Sequence, residues 1–166
     1  MEYTDLVKDF VSRTRANLEF IRNQDKSSDV YEVTQLINSM LGLLVFPQQK
    51  YINEIPETPL QELEKEGWPM PKMVGKFPPA PNLRQLIRYL RNAISHFNMR
   101  FLSDSNGEIS GIKMWNENRG KITWKAELTL EEREGITTKF ISIILKEDIR
   151  SNKSFNSDGA NNAPPS

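Results

Sequence analysis

The chain has no cysteine and a single histidine, His96. The first absence excludes disulfides, thiolate zinc sites and cysteine nucleophiles. The second excludes a multi-histidine metal centre built by one chain alone. Long hydrophobic runs are also missing. Met40 to Phe46 is the longest near-apolar stretch, far short of the ~20 residues of a membrane span. The N-terminal Met1-Glu2-Tyr3-Thr4-Asp5 has neither the basic residues nor the following apolar core of a signal peptide. A soluble, cytoplasmic protein with no membrane partner is expected. Net charge is absent too, since 22 basic side chains balance 22 acidic ones. That argues against coating nucleic acid by bulk electrostatics and leaves local patches open.

The 166 residues suit one domain, which usually takes about 100–200 residues. Three helix starts are well marked. Thr58-Pro59-Leu60-Gln61 and Asn82-Leu83-Arg84-Gln85 each put a capping side chain three residues before a glutamine, and Thr129-Leu130-Glu131-Glu132 is a full capping box. A first helix is expected over residues 4–24, with Tyr3, Val7, Phe10, Thr14, Leu18 and Ile21 on one stripe. A second is expected over 29–46, opening at Asp29 with Glu32 three residues on and stopped by Pro47. A short helix from Pro59 ends at Gly67, and residues 68–81, with five of the ten prolines, read as an extended connector.

A long helix from Leu83 to about Leu102 follows. Ile109–Trp115 and Ile122–Leu128 alternate as strands around a turn at Asn116–Gly120, which predicts a hairpin. A last helix runs from Leu130 to about Ile149 on an Ile136, Phe140, Ile143, Ile144 stripe. The expected fold is mainly α: a four-helix up-down bundle with a short extra helix in the connector and a β-hairpin before the last helix. Residues 1–150 form this domain, and 151–166, rich in Ser, Asn, Pro and Gly, form a disordered tail.

The helix from Leu83 is the one that can carry chemistry. At helical spacing Leu83, Leu86, Ile87, Leu90, Ile94, Phe97 and Phe101 share a core face. Arg84, Arg88, Asn92, Ser95 and Met99 lie opposite, flanked by Arg91 and His96. From Gly67 to Ser103 there is no Asp or Glu, while Lys72, Lys76, Arg84, Arg88, Arg91 and Arg100 fall within it. Such a window in a neutral chain is a candidate anion-binding surface. The plainer reading is a solvated face whose arginines pair with acids elsewhere. Trp68, Trp115 and Trp124 read as packing residues before base-stacking ones. No Gly-x-Ser-x-Gly, Walker A or Gly-x-Gly-x-x-Gly signature is present.

Arg91-Asn92-Ala93-Ile94-Ser95-His96 resembles the Arg-x4–6-His motif of the HEPN family, in the form with a polar residue after the arginine. The run from Tyr31 to Pro47, the Glu66-Gly67-Trp68-Pro69 segment, and the motif followed by a hairpin resemble that family's plasmid-borne branch over about residues 3–149. The resemblance implies a homodimer that cleaves RNA without a metal or other cofactor. Arg91 and His96 would be catalytic, and Asn92 and Ser95 supporting. Arg84, Arg88 and Arg100 would contact RNA. Asn92, one turn before His96, can orient its ring or touch phosphate, whereas Ser95 points away and makes no Ser–His nucleophile pair. Such nucleases often act as toxins or anti-phage effectors, so an antitoxin or regulatory partner is also implied. The alternatives are a catalytically inactive module that binds nucleotide, RNA or protein, and a purely structural dimerisation module.

Overall fold

The computed structural model describes residues 6–24, 34–35, 38–39, 42, 52–53, 55–107 and 109–143. Helix α1 (Leu6–Arg22) follows the expected stripe, with Thr14 buried and Phe10, Leu18 and Ile21 half-buried, and Val11, outside that stripe, is buried as well. Positions 34, 35, 38, 39 and 42 are helical, within the expected second helix. A Cβ on Gly42 would overlap the Phe10 ring, so a larger residue there would require that ring to shift. The Asp29–Glu32 start of that helix, its stop at Pro47, the end of the last helix and the 151–166 tail lie outside the described residues.

Helix α2 (Leu60–Lys65) ends as its sequence predicts. Gly67 adopts φ +75°, and its N–H and that of Trp68 donate to the Glu64 and Leu63 carbonyls, the Schellman closure for which glycine is suited. Its start departs from expectation. Pro59 is the N-cap residue and no side chain caps the helix. Thr58 instead lends its carbonyl to the Leu83 N–H at 3.0 Å, which ties the α2 entrance to the next long helix.

That helix, α3 (Leu83–Ser95), begins where Asn82 Oδ1 accepts from the Gln85 N–H at 2.9 Å. Leu83, Leu86, Ile87, Leu90, Ala93 and Ile94 are buried along one side. The expected continuation to Leu102 does not occur. His96 is the C-cap residue and Phe97 enters the left-handed region at φ +55°. The Phe97 N–H donates to the Ile94 carbonyl and the Asn98 N–H to the Ala93 carbonyl, a Schellman closure with an aromatic in the usual glycine place. That conformation costs an L-residue about 1–2 kcal/mol. Phe97 and Phe101, assigned by helical spacing to the core face, are exposed instead.

The chain then turns into a sheet. Strands β1 (Lys72–Met73), β2 (Met99–Ser103), β3 (Ile109–Asn118) and β4 (Lys121–Thr129) pair antiparallel in the order β1-β4-β3-β2. The β3–β4 hairpin is the expected one, but tighter. Its turn is Arg119-Gly120, both at positive φ, the type I′ geometry that suits a two-residue hairpin. Strand β2 adds to one side of the hairpin, with Met99 opposite Met114 and Phe101 opposite Ile112. Strand β1, inside the proline-rich connector, adds to the other. The fold is therefore α+β with a four-stranded antiparallel sheet, and the four-helix up-down bundle is corrected.

A last helix, α4 (130–143), starts at the expected capping box. The Glu132 N–H donates to Thr129 Oγ1 at 3.1 Å, and the Thr129 N–H donates to Glu132 Oε2 at 2.8 Å. The inner sheet face (Ile112, Met114, Trp124, Ala126, Leu128), the α3 stripe, Leu63 of α2, and Ile136 and Phe140 of α4 form one core cluster. Burying each large apolar side chain contributes about 1.5–3 kcal/mol. Two polar groups stand apart within the interior. Arg133, on the α4 core stripe, is 0% exposed, and its guanidinium has no hydrogen-bond partner among the described residues; the same holds for Trp124 Nε1.

Candidate active site

The motif occupies the last turn of α3 and the corner after it. Arg91 is half-buried, and its Nη1 donates to Asn92 Oδ1 at 3.0 Å. Asn92 Nδ2 donates to Asn116 Oδ1 at 3.0 Å, bridging helix to sheet. Asn116 Nδ2 in turn donates to Thr123 Oγ1 at 2.7 Å, and that hydroxyl lies 3.3 Å from the Asn116 carbonyl, to which it donates. The four side chains form one directed chain of donors. It starts at a cation, so each bond polarises the next.

Asn116 is only 6% exposed, and a buried amide needs such partners. A register shift between Asn116 and Glu117 leaves Thr123 as the unopposed residue of β4. Bulges of this kind re-aim side chains, and here the bulge brings Thr123 onto Asn116. Reading Asn116 as the first turn residue hid this role. The only local signal was an asparagine at the end of an otherwise alternating strand.

His96 is exposed at the C-terminal cap, and its side chain makes no hydrogen bond among the described residues. Ser95 is exposed one position earlier. Arg88 is exposed one turn before Asn92. Arg84 is placed differently: it directs Nε to the Ile55 carbonyl at 2.8 Å, Nη2 to the Asn53 carbonyl at 3.1 Å and Nη1 to the Glu57 carboxylate. It ties Asn53, Ile55 and Glu57 to α3. Arg100 leaves the helix altogether and lies on β2 opposite Lys113.

That strand position gives the sheet's outer face a charge pattern. Lys72, Glu127, Lys113 and Arg100 stand in one cross-strand row, and Trp115 pairs with Lys125 in another. Lys113 Nζ lies 2.7 Å from Glu127 Oε1. The Lys113 hydrogen bond holds the Glu127 carboxyl below its usual range, with Lys113, Lys72 and Lys125 adding attraction. Trp68 and Trp124 are buried, as their packing reading expects; Trp124 stacks on Tyr89 with centroids 5.4 Å apart.

Two cavities lie away from the motif. One of about 200 Å³ is lined by Met70, Met73, Leu86 and Trp124 among others, and one of about 320 Å³ by Trp68, Leu83 and Lys139 among others. None of the motif residues lines either. Among the described residues no three His, Asp or Glu side chains cluster as metal ligands would. No described helix is long and apolar enough to cross a membrane.

Neither a curated protein nor a solved structure matches the chain. The family comparison does: the model described as HEPN pEK499 p136 matches residues 1–151. The family assignment suggests a nucleotide-binding or ribonuclease-like function. With a match over nearly the whole chain, this protein belongs to the HEPN pEK499 p136 family.

Proposed function

We propose that the protein is an endoribonuclease that works as a homodimer and needs no metal, with Arg91 and His96 as its catalytic residues. The observation that carries this reading is the contrast within the motif. Arg91 is anchored through Asn92 to the sheet, whereas the His96 imidazole is left at the surface. A phosphate-binding cation benefits from a fixed position, and a proton-transfer group must reach solvent and substrate.

The reaction follows from those groups. One imidazole takes the proton from the ribose 2′-hydroxyl as its oxygen attacks phosphorus. A second, protonated imidazole gives a proton to the departing 5′-oxygen. The arginine fork donates to the phosphorane oxygens. The products are a 2′,3′-cyclic phosphate and a 5′-hydroxyl. One chain has one histidine, and a single ring cannot hold both protonation states at once. Five residues along a helix also turn the motif ends about 140° apart. A second copy facing the first supplies the other imidazole and lets both ends converge. Asn92 and Ser95 support the site, and Arg88 and Arg100 engage the RNA backbone.

Cleavage of cellular RNA stops growth, so we place the protein among toxins or anti-phage effectors, with an antitoxin or regulator as a further partner. The test is cleavage of mixed RNAs by the purified chain in chelator, with end-group analysis. His96→Ala and Arg91→Ala should each abolish cleavage while leaving the dimer intact. An unchanged His96→Ala enzyme would falsify the mechanism and favour an inactive binding module.

A further inference from the structure

Phe97 combines features that a residue with only a structural task would not keep together. It is 77% exposed, more than any other large apolar side chain described. It sits at φ +55°, where glycine is relaxed and an aromatic residue is strained. It directly follows His96. Strain at a corner this close to a reactive side chain is a recurring mark of function.

The ring is carried on a stiff mount. The Phe97 N–H donates to the Ile94 carbonyl at 3.1 Å. The next residue is held on both sides: the Asn98 N–H donates to Ala93 at 2.7 Å, and the Asn98 carbonyl accepts from the Trp115 N–H at 3.1 Å. The surroundings define the ligand. Along the chain, Phe97 lies inside the acid-free window from Gly67 to Ser103, with the exposed cations Arg88 and Arg100 before and after it and polar His96 and Asn98 as its immediate neighbours. Protein-docking surfaces are contiguous apolar patches of several hundred Å². An exposed ring carried in an acid-free, cation-bearing stretch of chain fits a flat base joined to phosphates.

We infer that Phe97 is a substrate-binding residue that stacks on a base of single-stranded RNA, next to the phosphate presented to His96. The inference rests on the ribonuclease reading above. Single strands are required because only an unstacked base offers its face. Stacking is tolerant of sequence, since every base has a π-face. The ring would thus position the strand without dictating a cleavage sequence.

The test uses the full chain carrying His96→Ala, which keeps the RNA intact. The probes are a labelled single-stranded oligoribonucleotide of mixed sequence and an abasic ribose-phosphate oligomer of equal length. Adding Phe97→Gly should weaken binding of the first by about 5- to 150-fold and leave the second unchanged. The same change should raise the melting temperature, because glycine relaxes the corner. That separates lost stacking from lost folding. Phe97→Trp should bind as well as the parent or better. If Phe97→Gly binds both oligomers like its parent, the inference is overturned and the ribonuclease reading stands. If Phe97→Gly dissociates the dimer by light scattering, Phe97 is an interface anchor and the inference also falls. A parent that binds neither oligomer overturns both readings together.

Discussion

Arg133 supports a prediction whose sign runs against the usual expectation for a buried residue. Its guanidinium is fully enclosed and has no hydrogen-bond partner among the described residues. Burial pulls its pKa well below the usual arginine value, down to about 10. A drop of that size corresponds to a folding penalty of about 3 kcal/mol for keeping the charge. Arg133→Met removes the charge and keeps most of the apolar stem. The smaller side chain leaves some space, which offsets part of the gain. Replacing a poorly compensated buried charge by a hydrophobe of similar shape is often worth 1–4 kcal/mol, and about 2 kcal/mol is expected here. For a chain this long that raises the melting temperature by roughly 4–8 °C.

Urea unfolding of both proteins at neutral pH is the assay, and a pH series supplies its control. The folded pKa lies below the unfolded one, so above about pH 10 the unfolded chain holds more protons than the folded one. Wild-type stability therefore recovers relative to Arg133→Met as pH rises through about 10, and the gap between the two narrows. A loss of about 3–5 kcal/mol in Arg133→Met would refute the reasoning. That is the cost of breaking a buried ion pair, and it would mean that an acid outside the described residues neutralises the guanidinium.

Other changes test the frame around the site. Asn116→Leu leaves Asn92 Nδ2 and Thr123 Oγ1 without their partner, so it should cost about 1–3 kcal/mol in thermal unfolding. It should also reduce RNA cleavage, because Arg91 loses its anchor. Thr129→Ala removes one half of the capping box and should cost about 1 kcal/mol. Adding Glu132→Ala should then cost less than its own single effect, measurable as a double-mutant cycle. Glu127 ionises more readily in the fold than its ordinary 4.5, chiefly through Lys113. Its stabilising contribution is therefore present above that value and lost as pH falls below it. The stability gap between wild type and Glu127→Gln should close on acidification.

Some of this structure is readable locally because the residues that define it touch each other within one turn. The Thr129–Glu132 box, the Asn82–Gln85 cap and the Gly67 closure each involve groups within five residues. The hairpin is readable for a similar reason, since its strands are neighbours in sequence and alternate cleanly. The site divides along the same line. Arg91 and His96 stand out as a short motif. Asn116 lies 24 residues from Asn92, and nothing adjacent to it announces that contact.

The departure from the expected four-helix bundle begins largely at Phe97. Ile94, Phe97 and Phe101 keep helical spacing, while Met99, Phe101 and Ser103 alternate equally well as a strand. A glycine at 97 would have marked the helix end; a phenylalanine there reads as helix. What decides the matter is non-local: Met114, Lys113 and Ile112 stand ready to pair with residues 99–101, and the sheet so gained outweighs the strained corner. The consequence reaches the chemistry. With the helix ending at Ser95, Arg100 leaves the helix that carries Arg88 and Asn92 and joins Lys113 on the outer sheet. On the proposed ribonuclease reading, an RNA strand that touches both arginines rounds the corner that His96 and Phe97 occupy. On that reading, the residue whose conformation ended the helix also sets the path of the strand.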